Sequence, residues 1–243
     1  MTSEARTIPE WNQQPLATPQ HGPAQVTTLS RKAAAGREIR RAVAMGYLKP
    51  GDKVTEAQLA SDLGVSRPTV REALNQLTGE GLIVQEPYRG FRIAEVNNDQ
   101  LRDIAATRVG LDMLAIDAIL ADPTGWRMAI VQEGWDRFSQ AAYDPDPIAQ
   151  LEAHLTFHGQ IWVASENYLL INLWPVTKAH ITIALAADQR TRSDPERAYR
   201  LHAELMDAIL TRDRDAIHQA FVTHTIDSAE ELISILAEEG STS

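Results

Sequence analysis

Four of the seven histidines in this 243-residue chain are spaced as metal ligands would be. His154 and His158 are four residues apart, so on a helix both imidazoles leave the same face. His202 lies ten residues before Arg212, and His224 twelve after it. If Arg212 marks a turn between antiparallel helices, these two stand at nearly the same height, given a rise of about 1.5 Å per residue. A third helix carrying His154 and His158 across that hairpin would bring four imidazoles together. Imidazole binds zinc, nickel and similar divalent ions, and helical bundles build such sites from inward side chains on facing helices. A histidine on an apolar helix also serves as a core residue with one hydrogen bond, and spacing leaves both readings open. His180 and His218 read as structural.

A different chemistry is carried between Gln58 and Leu74. Two helices meet at Gly64, and Ser66 with Pro68 has the residue types of a helix start. Leu59, Leu63 and Val65, then Val70, Ala73, Leu74 and Leu77, give each helix one apolar stripe. The other face of the second helix is read as Arg67, Thr69, Arg71 and Asn75. Such a helix-turn-helix offers its second helix to the DNA major groove, where arginine donates twice to guanine O6 and N7. Ser66, Arg67, Thr69 and Arg71 are the DNA-contact candidates there. Strand-like runs at Leu82–Gln85 and Phe91–Ala94 flank a turn whose Arg89 and Gly90 suit a minor groove. Upstream, Ser30 to about Met45 reads as a helix with a basic face, on which Arg37 is a candidate for phosphate contact. Thr55 with Gln58 fits a capping box opening the next helix at Glu56.

These groups need scaffolds of two kinds, and the chain divides accordingly. The fold class expected is mainly α, an N-terminal winged helix-turn-helix over 28–96 and an all-α bundle of about six helices over 97–238. The bundle helices are expected at about 99–120, 126–142, 148–164, 167–191, from a Ser193–Glu196 capping box to about 210, and from Asp213 to about 237. Leu101, Ile104, Leu111, Leu114 and Ile119 form the expected stripe of the first, and Pro175 should kink or split the fourth. Residues 1–27, with Pro9, Pro15, Pro19 and Pro23, read as a disordered leader. The net charge of -10 is uneven: 28–96 holds 11 Lys/Arg against 8 Asp/Glu, and 97–243 holds 11 against 23. Positive charge therefore sits with the helix-turn-helix. There is no cysteine, which excludes disulfides and thiolate metal sites. No apolar run is read as approaching the roughly 20 residues of a membrane span, and no signal pattern opens the chain. A soluble, cytoplasmic protein is the expectation.

The run Leu-Ala-Ser-Asp-Leu-Gly-Val-Ser-Arg-Pro-Thr-Val-Arg-Glu-Ala-Leu, with Gly46–Asp52 before it and Gly81–Val84 and Arg89–Ala94 after it, resembles the signature of the GntR-type bacterial transcription regulators. The resemblance covers roughly residues 29 to 96. It implies a homodimer on a short palindromic operator in double-stranded DNA, associated with the bacterial nucleoid when bound. One departure is Ala57, where many relatives carry a base-reading arginine. A helical domain behind this module resembles the FadR-like branch, whose FCD-type ligand-binding domain often holds a metal. His154-Leu-Thr-Phe-His158, with Ala-Ser-Glu-Asn167 downstream, resembles that branch's metal helix, in which aspartate is usual at the position of His154. The resemblance implies His154, His158, His202 and His224 as ligands of a divalent metal, zinc or nickel, and Arg108 as a residue of the effector cavity, four residues before Asp112. Asn167 is a further effector-binding candidate, with Arg190 and Tyr199 behind it.

The function expected is a transcription regulator, a repressor, whose operator binding is controlled by a carboxylate effector, an organic or sugar acid, at a metal-containing pocket. The alternative is a metal-dependent hydrolase fused to a DNA-targeting module. That chemistry needs a carboxylate base beside the histidines, and Glu152, two residues from His154, leaves a different helix face. A third reading is an architectural DNA protein with an inert helical domain.

Overall fold

Side-chain caps and glycines of positive φ set the N-terminal elements. In the computed structural model, which describes residues 28–191 and 194–241, these are α1 (Thr28–Ala44), β1 (Lys53–Val54), α2 (Glu56–Leu63), α3 (Arg67–Gly79), β2 (Ile83–Glu86) and β3 (Gly90–Ile93). The leader expected over 1–27 lies outside the described residues. Thr55 caps α2, its Oγ1 accepting from the Gln58 N–H at 3.2 Å. The Gln58 side chain does not close the expected box, because its amide donates forward to Asp62 Oδ1 at 2.7 Å. Gly64 ends α2 at φ 62°, a conformation that a β-carbon disfavours. Ser66 opens α3 by accepting from the Thr69 N–H at 3.3 Å. The strands are ordered β1-β3-β2, all antiparallel, with Val54 opposite Phe91 and Ile83 opposite Ile93. This is a winged helix-turn-helix. At two residues, β1 is too short to leave a periodic signal in the sequence.

Helices make up the rest: α4 (Asn98–Leu120), α5 (Trp126–Ala141), α6 (Pro147–Ala164), α7 (Tyr168–Thr191), α8 (Pro195–Thr211), α9 (Arg214–Phe221), a π-helical stretch (Val222–Asp227) and α10 (Ser228–Ser241). Their core gathers Ile116, Ile119, Phe157, Ile161, Trp162, Leu205 and Phe221, all fully buried. A Cβ on Gly134 would stand 3.0 Å from Gln160 Cβ and 3.4 Å from the Phe157 backbone, so this glycine lets α5 lie close against α6.

Several expectations change. On α4 the buried stripe is Leu101, Ala105, Arg108, Asp112, Ala115, Ile116 and Ile119, while Leu114 is 55% exposed. The stripe keeps the helical period but passes through two charged residues that pair with each other inside. Pro175 does not split α7, which is one helix with the proline on an exposed position. Asp194 caps α8, its Oδ1 accepting from the Arg197 N–H at 2.9 Å, whereas Ser193, the expected cap, lies outside the described residues. The single helix expected after Asp213 is interrupted by the π-helical stretch.

Along α7, Tyr168–Asp188 contains a stretch of mean hydropathy 1.3 and is long and apolar enough, by length and composition, to cross a membrane. Asn172, Lys178 and His180 had hidden this run. Its N-terminal part exposes Tyr168 and Leu169, whereas Ala179 and Ile183 complete the core of the winged module beside Ile39, Leu74 and Ile83.

Candidate metal centre and nucleic-acid interface

The histidines meet as the spacing suggested. α6 supplies His154 and His158, α8 supplies His202, and the π-helical stretch supplies His224. His158 Nε2 lies 3.2 Å from His202 Nε2 and 3.1 Å from His224 Nε2. His154 joins from the α6 side, one of its ring nitrogens and those of His158 and His202 all lying within 4.8 Å of one another. His154 and His224 occupy opposite edges, with ring centroids 6.4 Å apart. A one-turn π-helical insertion shifts the side-chain register of a helix and is common at functional sites; here it carries His224.

Proton placement tests whether these residues fit a metal. The Ala198 carbonyl lies 2.6 Å from His202 Nδ1, so that nitrogen carries the proton and Nε2 turns a lone pair inward. Burial, the largest cause, together with the Arg108 charge and the neighbouring imidazoles, pushes His158 and His224 well below the ordinary histidine range. His154 moves the same way, by burial first and then by His202 and Arg108. His202 is pushed down to about 4, again chiefly by burial. All four are therefore neutral near pH 7, the state that coordinates metal. A single proton between neutral rings cannot satisfy every contact of His158 Nε2, and His154 Nε2 is buried without a hydrogen-bond partner. Ligands on a tetrahedral zinc with bonds of about 2.0–2.1 Å stand about 3.3 Å apart, close to the spacing of these nitrogens. The residues fit a divalent cation.

Beside the cluster, Arg108 and Asp112 form a buried pair, with Nε 3.3 Å from Oδ2. Trp162 Nε1 donates to Asp112 Oδ1 at 2.5 Å. Burial raises the Asp112 carboxyl, opposed by the Arg108 charge and the Trp162 donor. Arg108, His154, His202 and His224 share the wall of a cavity of about 140 Å³, bounded also by Ile181, Ala184 and Leu185 of α7. The structure thus brings Arg108 to the histidines. It does not bring Asn167, which caps α7 through 3.0 and 3.4 Å bonds from the Leu169 and Leu170 N–H groups and is exposed. That local capping accounts for its side chain. Tyr199, whose ring lies against that of Tyr143, belongs to a neighbouring cleft with Phe138 and the Ala44–Met45 end of α1, a cleft that His154 also borders. The side chain of Arg190 lies outside the described residues. Glu152 faces a groove with Arg37, Arg40 and Lys178, away from the imidazoles. Sequence reading missed Thr225, whose buried hydroxyl has no hydrogen-bond partner, and Arg197, which also borders the cavity. A α-helical register after Asp213 gives no reason to place residues 224 and 225 together on the cavity wall.

On the other half, Arg67 and Arg71 share the exposed face of α3. Arg71 is held by Glu56 side-on, with Nε to Oε1 at 2.7 Å and Nη2 to Oε2 at 2.9 Å. The hydrogen bond and charge of Arg71 hold the Glu56 carboxyl below its ordinary range. This geometry leaves the end-on edge of the guanidinium free for a second bidentate contact. Thr69 is a correction: it is only 7% exposed and its hydroxyl lies 2.8 Å from that of Ser66. Two positions along a helix is about 200° of turn, which carries Thr69 from the Arg67 face to that of Val70 and Leu77. Ser66 acts as the cap. Arg37 lines the groove between α1, α6 and α7 with Arg40 and Arg41, so its surroundings are the joint of the two halves. Arg89 and Gly90 stand at the exposed wing tip with Tyr88, a fully exposed aromatic at φ 63° that the sequence reading passed over.

A winged helix-turn-helix joined to a helical bundle defines the class of a DNA-binding regulator with a second, all-helical half. Residues 31–93 match the family described as bacterial regulatory proteins, gntR family, and residues 103–227 match the FCD domain. The chain belongs to the gntR family of regulators and carries an FCD domain. It is 23% identical over 202 residues to the uncharacterized HTH-type transcriptional regulator YdhC of Bacillus subtilis, covering 83% of this chain and 90% of that protein. It is 25% identical over 184 residues to a probable D-xylose utilization operon transcriptional repressor of Paenarthrobacter nicotinovorans, covering 75% and 80%. The solved structure of E. coli McbR/YncC matches with a TM-score of 0.67 at 21% identity over 85% of this chain and 97% of that one, which shows the shared fold. These are transcription regulators rather than enzymes, and the hydrolase alternative falls with that assignment.

Proposed function

We propose that the chain is a cytoplasmic transcription repressor that binds a short palindromic operator as a homodimer and leaves it when a small carboxylate effector enters the cavity beside the histidines. The observation that carries this reading is that His154, His202 and His224 share one cavity wall with Arg108, while His158 meets His202 and His224 just behind that wall. His158, His202 and His224, with His154 at the edge, would hold a divalent ion, zinc or nickel. When bound, that ion supplies a Lewis-acidic point for a carboxylate oxygen. Arg108 contributes a fixed positive charge and unused N–H donors on the same side. Arg67 and Arg71 read bases, and the Arg89–Gly90 tip approaches the minor groove. The relatives include a probable repressor, which favours repression over activation.

An effector shifts the equilibrium only by its difference in affinity between the DNA-competent and incompetent states. The test is operator binding by fluorescence anisotropy, on DNA selected by the protein from a random pool, with metal content measured in parallel. The wild type should retain one divalent ion per chain, and an acid that binds it should weaken operator affinity. A His158→Ala/His202→Ala/His224→Ala variant that still releases DNA with the same acid would remove the histidines from sensing.

A further inference from the structure

We propose that the cavity beside the histidines selects a monocarboxylic acid whose remainder is apolar and about the size of a benzene ring, not a polyhydroxylated acid. This rests on the reading of that cavity as the effector site. Size is the first argument. The space is about 140 Å³, and an apolar protein cavity of about 150 Å³ is known to hold benzene. Chemistry is the second. Leu101 and Ile104 of α4, Ile181 and Leu185 of α7, Leu201 of α8 and Leu232 of α10, with the alanines between them, form the larger part of the wall. No hydroxyl of a sugar acid finds a partner on such side chains, and a buried hydroxyl without one opposes binding.

Polar groups are gathered where a carboxylate head would lie. Arg108 is buried; its Nε faces Asp112, and one terminal nitrogen has no hydrogen-bond partner. Thr225, also buried, offers an unpartnered hydroxyl. These are donors for a carboxylate's oxygens. A second carboxylate has no comparable place, because Arg197, the other arginine on the wall, is already engaged by Glu231 and Ser228.

The test titrates phenylacetate, acetate and D-gluconate into the metal-loaded full chain by calorimetry, with the thermal shift as a second readout. Acetate carries the same head without the body, and gluconate carries a hydroxylated body. Phenylacetate should bind at least ten-fold more tightly than either, and Ala184→Phe, which fills the cavity, should remove that margin while metal retention reports its folding. Equal affinity for acetate and phenylacetate, tighter binding of gluconate, or no binding of phenylacetate overturns the proposal. Operator anisotropy in the same solutions separates the two claims. Release of DNA by gluconate keeps the effector reading and removes the ligand class. Phenylacetate that binds without changing operator affinity keeps the class and removes the effector reading.

Discussion

Arg108→Leu should be among the most damaging single substitutions in the helical half, for a reason independent of any ligand. Among the described residues it removes the one charge that faces Asp112 at close range, 3.3 Å away, and leaves a carboxylate that is 1% exposed. Breaking a buried ion pair from one side costs about 3–5 kcal/mol. At about 2–4 °C per kcal/mol for a chain of this size, the melting temperature should fall by about 6–20 °C. Asp112 has a second partner in Trp162, whose indole donor must keep an acceptor. The double variant Arg108→Leu/Asp112→Asn retains that acceptor without a charge, so it should recover most of the loss. The pH dependence has a defined sign. Burial already raises the Asp112 carboxyl, and losing Arg108 raises it further. The folded variant then binds a proton more readily than the unfolded chain, where aspartate titrates near about 3.9. Its deficit against the wild type should be smallest at low pH and should grow as pH rises through the folded pKa. Urea melts of the three proteins at pH 5 and 8 measure this. A loss below about 1 kcal/mol, or a double variant no more stable than Arg108→Leu, would refute the buried-pair reasoning.

Three further outcomes follow from the same geometry. Alanine at His158, His202 or His224 should abolish retention of a divalent ion after desalting, measured by elemental analysis, because each contributes one of the converging nitrogens; undiminished metal in all three would exclude the cluster as the site. In chelator-treated protein the buried histidines bind fewer protons folded than unfolded, so stability should be complete above about pH 6.5 and fall as pH drops below it, and a urea midpoint unchanged between pH 7.5 and 5.5 would contradict this. Arg71→Ala should weaken operator binding by about 1–3 kcal/mol, and Glu56→Gln, which frees Arg71 from its side-on pair, should lower the ratio of operator to scrambled-DNA affinity while leaving non-specific binding nearly unchanged.

What the sequence disclosed depended on whether a residue's role was local. Caps, the Gly64 turn and the hairpin are set by neighbours within a few positions, and Ser66, Thr55 and Asp213 all open helices where their types suggested. The histidine convergence was legible because two helix spacings and one turn fixed it. Roles set by distant packing were not legible. Nothing adjacent to Arg108 and Asp112 announces that Trp162, fifty positions along, will accept them into the core. Thr69 was misplaced by grouping polar residues onto one face when the helical angle sends it inward. The metal-helix pattern draws Asn167 toward the pocket, yet α7 starts at the next residue and the Leu169 N–H claims its side chain.

The two halves share one helix, and that constrains how a ligand could act. Ile181, Ala184, Leu185 and Asp188 of α7 line the cavity at the helical spacing of a single face. Ala179 and Ile183, on the opposite face, are packed into the core of the winged module with Ile39 and Leu74. A packed core does not deform continuously, so a body inserted against one face of α7 must be absorbed by a discrete shift of the helix or refused. His154 adds a second link, since it borders both the cavity and the cleft that reaches Ala44 and Met45 at the end of α1. Ile183→Ala should therefore separate sensing from binding. It removes part of the contact between α7 and the winged module while leaving the cavity face untouched. Effector affinity should be close to wild type, and the change in operator affinity on adding effector should shrink. An Ile183→Ala protein with unaltered coupling would show that the signal does not pass through α7.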